Sequence, residues 1–184
     1  EFQNADRFVV DYTNTFEFLP VPFKIASRVT LPSSGYAFDN VRAGYTVALR
    51  RPWSGEVFTE RGTFYDGHKS AIGLNAGRVN LTARLSIEPS YAVNWIDLPQ
   101  GSFATHLSGA RTTLTPTPLM FLSTFLQYNS SSHSASANIR FRWEYQPGSE
   151  LFVVFNEDRD TLIPRFPGLN SRAFIVKVNR LLRF

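Results

Sequence analysis

The stretch Val79-Asn80-Leu81-Thr82-Ala83-Arg84-Leu85-Ser86-Ile87-Glu88-Pro89-Ser90-Tyr91-Ala92-Val93-Asn94-Trp95 decides the fold class. Its odd positions are apolar from Val79 to Trp95, and its even positions are polar apart from Ala92. A period of two puts successive side chains on opposite faces of an extended strand. Strands of soluble domains run to about five or six residues. This alternation runs much longer, and it predicts one tall strand over 79–95 with an apolar and a polar side.

Ala135 to Gln146 repeats the pattern. Ala135, Ala137, Ile139, Phe141, Trp143 and Tyr145 fall on one face, and Ser136, Asn138, Arg140, Arg142, Glu144 and Gln146 on the other. Three consecutive charges on one face are costly in a dry core and need water or one another. Trp143 and Tyr145 stand beside Pro147-Gly148, where an aromatic girdle at a membrane interface is expected, and Trp95 ends its own stretch in the same way.

Extended outward, the rhythm predicts strands over 5–16, 38–50, 55–65, 67–76, 79–95, 101–114, 118–129, 134–146, 149–157 and 171–184. Turns at 51–54, 76–78, 115–117 and 147–148 are short, while 17–37 and 158–170 are long and hold Pro20, Pro22, Pro32, Pro164 and Pro167. Short turns at one end and longer loops at the other are the habit of bacterial transmembrane barrels. The expectation is an all-β, antiparallel, up-and-down transmembrane β-barrel, with about ten strands visible in one domain over 1–184. These strands either complete the barrel or belong to a larger one.

Composition agrees. Aromatics reach 15%, with 17 Phe, and charged residues only 18%, against about 25% in average usage. No run approaches the roughly 20 apolar residues of a spanning helix. The absence of cysteine excludes disulfides and thiolate metal sites. The net charge of +4 comes from scattered basic residues with no nucleic-acid module, so no nucleic-acid partner is expected. Glu1-Phe2-Gln3 is no export signal, so an exported chain would be mature, processed or truncated.

The end of the chain carries Phe174, Val176, Val178, Leu182 and Phe184 in one phase, interrupted by Arg180. An amphipathic last strand with a terminal aromatic resembles the assembly signal read by the barrel-insertion machinery. Arg180 departs from it, although an arginine near a rim can snorkel to headgroups.

Gln127-Tyr128-Asn129-Ser130-Ser131, Asn138 through Val154, Asn156-Glu157-Asp158-Arg159-Asp160-Thr161 and Asn170 through Phe184 together resemble a known family. It is the C-terminal β-barrel of uncharacterised bacterial outer-membrane proteins whose N-terminal domain is similar to carbohydrate-binding family 9. The resemblance is strongest after about residue 80. It implies that the chain is the C-terminal portion of a longer protein, and it brings no catalytic motif with it.

Candidate chemistry is sparse. With the apolar faces toward lipid, Arg42, Arg84, Glu88, Arg140, Arg142, Glu144 and Lys177 point inward, as a bracing ion-pair ladder or as a lining selective for anionic or sugar-like solutes. His68, His106 and His133 lack metal-ligand spacing, and they fall where outer loops could gather them with a serine such as Ser130, Ser131, Ser132 or Ser134. No Gly-x-Ser-x-Gly elbow accompanies them. Asn156, Asp158 and Asp160 have the spacing of half a calcium loop without its glycine or its bidentate glutamate, and a solvated outer turn is the stronger reading.

The expected function is therefore non-enzymatic. The barrel, in the bacterial outer membrane, would anchor a periplasmic carbohydrate-binding region or pass a small polar or glycan-derived solute. Its expected partners are membrane lipid and lipopolysaccharide, the insertion machinery and glycans, and no cofactor is expected. The alternatives are an envelope hydrolase of esterase or lipase type with a Ser/His site at the rim, and a soluble lipocalin-like barrel with an apolar interior.

Overall fold

A computed structural model describes residues 2–163 and 167–182. Ten long strands carry the fold: β1 (Arg7–Phe18), β4 (Gly35–Val47), β5 (Trp53–Phe64), β6 (Gly67–Thr82), β7 (Leu85–Leu98), β8 (Gly101–Thr117), β9 (Met120–Asn129), β10 (Ser134–Gln146), β11 (Ser149–Asp160) and β12 (Gly168–Asn179). Each pairs with the next in chain order, from β1 through β4 to β12, so the sheet is an up-and-down meander. The registers of β1 with β4, β4 with β5, and β9 through β12 are antiparallel. A separate hairpin, β2 (Phe23–Ala26) and β3 (Val29–Leu31), is inserted between β1 and β4. The all-β, antiparallel, up-and-down expectation holds.

Several boundaries move. The single strand expected over 79–95 is two strands, with a turn at Ala83-Arg84 between β6 and β7. Thr82 Oγ1 accepts from the Arg84 amide at 3.1 Å, and the Arg84 carbonyl accepts from Thr115 at 2.8 Å. The turn expected at 76–78 is instead a kink inside β6, where Ala76 takes a left-handed φ of 46°. The loop expected over 17–37 contains the β2–β3 hairpin, and β11 runs on to Asp160. The last strand ends at Asn179, so Leu182 lies beyond it and Phe184 lies outside the described residues.

Two compact units divide the chain. The first is Glu1–Ala76 with Tyr91–Leu107, and the second is Gly77–Ser90 with Ser108–Phe184. The first holds a buried apolar cluster of Leu19, Val29, Leu31, Tyr36, Phe38, Ile96 and Leu98. The hairpin places Val29 and Leu31 there, with Leu31 fully buried, against Tyr36 and Phe38 of β4 and Ile96 and Leu98 of β7. Removing such side chains from water contributes about 1.5–3 kcal/mol each, which is what holds so short a hairpin in place.

Elsewhere in the first unit, register aligns Phe8 with Tyr45, Val10 with Ala43 and Tyr12 with Val41, and Thr59 and Val57 continue that face on β5. Phe8, Val10, Tyr12, Val41, Tyr45 and Val57 are all exposed. The second unit repeats this arrangement. Trp143, Leu151 and Val178 stand in one cross-strand row, Phe141, Val153 and Val176 in the next, and Ile139, Phe155 and Phe174 in a third.

Candidate functional site

The opposite face of each unit is charged. In the first, Arg42 of β4 donates to Glu56 of β5 at 2.9 Å and lies 4.3 Å from the Phe58 ring centroid. Register sets Arg42 directly across from Glu60. Glu60 pairs with Lys69 at 2.6 Å instead, and that ammonium sits 5.7 Å from the Phe64 ring. Two ion pairs and two cation–π contacts thus brace adjacent strands, each partly exposed pair contributing about 0.2–1 kcal/mol.

In the second unit the same face of β8 to β12 mixes guanidinium groups with phenyl rings. Arg142 donates through Nε to Glu150 at 2.8 Å and lies 6.0 Å from the Phe152 ring. Arg111 lies 5.3 Å from the Phe125 ring. Register sets Arg140 across from Ser123 on one side and Val154 on the other. Arg111, Arg140, Phe121, Phe125, Ser123 and Asn138 line one concavity of about 420 Å³.

The other residues singled out from sequence have plain placements. Glu144 accepts from the Gly148 amide at 3.1 Å and so secures the β10–β11 turn. Lys177 is the register partner of Phe152. Glu88 lies half-buried on β7, and Arg84 sits in the β6–β7 turn, not in a strand. Among the aromatics, Trp95 is exposed on β7, Trp143 packs edge-on against Tyr145 with ring centroids 6.0 Å apart, and the Tyr145 hydroxyl donates to the Asn179 carbonyl at 3.0 Å.

His68 and His106 belong to the first unit and His133 to the second. His68 is exposed on β6, and His106 Nδ1 is 2.9 Å from the Tyr91 hydroxyl. His133 takes a φ of 50° in the β9–β10 turn, and its carbonyl accepts from Thr161 at 2.7 Å. Asn156, Asp158 and Asp160 are in β11, not in a loop. Alternate residues of a strand are about 6.6–6.8 Å apart, too far for one cation to gather all three. Each is also engaged elsewhere: Asn156 with Asn138, Asp158 with Asn170 at 3.0 Å, and Asp160 with the Leu162 amide at 2.8 Å. Among the described residues, no group of three or more His, Cys, Asp or Glu could hold a metal ion.

Sequence reading missed a charged cluster at the loop end of the apolar face, where Glu157 accepts from both Arg159 and Arg172, the latter at 2.6 Å. It also missed the rings interleaved with the arginines. The signal for those was available, since Phe121, Ser123 and Phe125 alternate in one phase of the 118–129 strand.

No family model and no curated protein matches this chain. Among solved structures, that of the porin NanC in a rhombohedral crystal form is similar over 96% of this chain and 99% of its own, at 11% identity and a TM-score of 0.42. Two chains at that score need not share a fold.

Proposed function

We propose that this chain forms wall strands of a β-barrel in the bacterial outer membrane, and that the barrel acts without catalysis. It passes a small polar or glycan-derived solute along its charged face, or anchors a periplasmic carbohydrate-binding region. One observation carries the reading. In both units the exposed face presents large apolar side chains, including Tyr12, Val41, Val57, Phe174 and Val176, and the opposite face carries the Arg42–Glu56, Lys69–Glu60 and Arg142–Glu150 pairs. Apolar patches on soluble monomers rarely exceed a few hundred Å². Hydrocarbon is the solvent in which such a face costs nothing, and a hydrated interior is where Arg42, Arg140 and Arg142 belong.

The carbohydrate-binding association rests on the resemblance of 127–131, 138–154, 156–161 and 170–184 to barrels that follow such domains. The test is to express the chain with an export signal, separate outer membrane from soluble fractions, and run unheated and heated samples in mild detergent. Membrane recovery with a heat-dependent shift in migration supports the reading, and conductance in a planar bilayer then separates a pore from an anchor. A monomer that stays in solution without detergent sinks it.

A further inference from the structure

We infer that the loop end of the apolar face in the second unit seats a phosphorylated lipid of the outer leaflet, with an acyl chain in a groove and the phosphate on Arg159 and Arg172. The inference rests on the membrane reading above and names a lipid partner for that face.

Register fixes the level of the site. Thr124, Ile139, Phe155 and Phe174 form one cross-strand row of this face. The next row toward the loops is Leu126, Ala137, Glu157 and Arg172, and the one after it holds Tyr128, Ala135 and Arg159. Charge therefore enters directly beyond the Phe155–Phe174 row. Charged side chains are costly at depth in hydrocarbon, and aromatic hydroxyls gather where it meets headgroups, so Tyr128 and these charges mark that boundary. The connections at this end, 130–133 and 161–167, are longer than 118–119 and 147–148 at the other. Longer loops are the outer ones in bacterial barrels.

Side-chain size makes the groove. Along β10 the apolar face reads Trp143, Phe141, Ile139, Ala137 and Ala135 toward the loops, so bulk falls away where charge begins. The depression left there measures about 410 Å³. Ala110, Ala135 and Ala137 are its small lining residues, and Leu126 and Tyr128 stand exposed beside them. A flexible acyl chain fills such a depression without a polar group to satisfy.

Charge selects the occupant. Glu157 and Arg159 border the groove, and Glu157 is the one acid among the described residues that line it. That carboxylate accepts from both Arg159 and Arg172, the latter at 2.6 Å, so two guanidinium groups share one counter-charge. Arg159 is also held by the Pro167 carbonyl at 3.2 Å, while Arg172 is exposed and gives Glu157 its Nε. The outer nitrogens of Arg172 suit a phosphate, which a guanidinium receives through two parallel hydrogen bonds. Free phosphate would leave the groove wet, and a neutral lipid would leave the surplus positive charge unmatched. A second copy docked here through a two-fold contact would set that surplus against itself.

The experiment titrates the purified chain in detergent micelles with lipid A, dephosphorylated lipid A and inorganic phosphate, read by native mass spectrometry on samples first checked for heat-modifiable migration. We expect lipid A to bind at least tenfold more tightly than either of the other two. Arg172→Gln, which removes the phosphate partner, and Ala137→Phe, which fills the groove, should each weaken lipid A at least tenfold. Arg61→Gln removes a cation beside Val41 on the apolar face of the first unit and should leave the affinity unchanged. Equal binding of the dephosphorylated lipid, phosphate as tight as lipid A, or indifference to Arg172→Gln or Ala137→Phe in heat-modifiable samples overturns the site and leaves the barrel reading standing. So does equal weakening by Arg61→Gln, or a dimer that Ala137→Phe abolishes. A chain that is soluble without detergent and does not shift on heating overturns the barrel reading, and the inference falls with it.

Discussion

Arg51 donates to the carboxylate of Asp6 at 2.9 Å and so closes the segment before β1 onto the turn after β4. Asp6 is fully buried, and it also accepts from the Ala48 amide at 2.9 Å, the Tyr45 hydroxyl at 2.7 Å and the Asn4 side-chain amide at 2.9 Å. One carboxylate therefore satisfies four donors at the short-turn end of the first unit.

These donors, the Ala48 amide foremost, hold the Asp6 carboxyl below the ordinary aspartate range. A depressed folded pKa means that the contribution is fully present above the unfolded value near 3.9 and is lost as pH falls through the folded one. Unfolding temperature, read by gel migration in detergent, should therefore drop as pH falls below about 4. Asp6→Asn should lower it at pH 7 and flatten that acid limb. An unchanged acid limb in Asp6→Asn would show that other carboxylates carry it.

Tyr65 gives a prediction at the other end of the scale. It sits in the β5–β6 turn, where burial and its hydrogen bond to Glu17 at 3.1 Å push its hydroxyl up to about 12. A raised folded pKa contributes stability that is complete below the unfolded value near 10 and lost as pH climbs toward the folded one. Stability should decline between about pH 10 and pH 12, and Tyr65→Phe should remove part of that decline. Spectrophotometric titration of the two proteins checks the assignment, because the difference between them should lack a phenol ionising near pH 10.

How much of this was legible depends on which signal each feature leaves. The two-faced strands were legible because period two survives any loop placement. The β6–β7 turn was not, because the alternation stays in phase across it: Arg78, Asn80 and Thr82 before the turn line the same concavity as Ser86, Thr113 and Thr115 after it. The β2–β3 hairpin was hidden among Pro20, Pro22 and Pro32, with Val29 and Leu31 too brief a run to announce a strand. Ion pairing was legible in kind and not in partner. Arg42 leaves Glu60, its direct cross-strand neighbour, to Lys69 of β6 and takes Glu56, a choice that the spacing of residues along one strand does not announce.

The hairpin core predicts a local failure. Leu31 is fully buried among Val29, Tyr36, Phe38, Ile96 and Leu98, and Leu31→Ala should cost about 2–5 kcal/mol at that site. The strands of β1 and β4 do not depend on it for their ladder, so the hairpin should loosen first. Lys24 and Arg28 are exposed on it, so trypsin should cut there at least several-fold faster in Leu31→Ala while heat-modifiable migration persists. Loss of the whole barrel at the same temperature as the cut would mean that the hairpin and the wall melt as one.

A substitution in the middle of β4 separates a lipid-facing wall from a soluble sheet. Val41 is exposed and flanked in register by Tyr12 and Arg61, and the next residue, Arg42, faces the other way with Asp11 as its register partner. Val41→Lys would set a second cation beside Arg61 on the hydrocarbon face, which costs about 2–4 kcal/mol at the bilayer midplane and falls toward zero at the interfaces. Thr13→Lys adds the same charge on the opposite face of the neighbouring strand, where Thr13 is exposed beside Asn40. Folding into vesicles, followed by reversible denaturant titration, should therefore destabilise Val41→Lys and leave Thr13→Lys within about 0.5 kcal/mol of the unaltered chain, as expected of a surface substitution. If the wall met water instead, Val41→Lys would be as harmless as Thr13→Lys and would raise solubility. The two substitutions together read the orientation of the sheet without any knowledge of the solute.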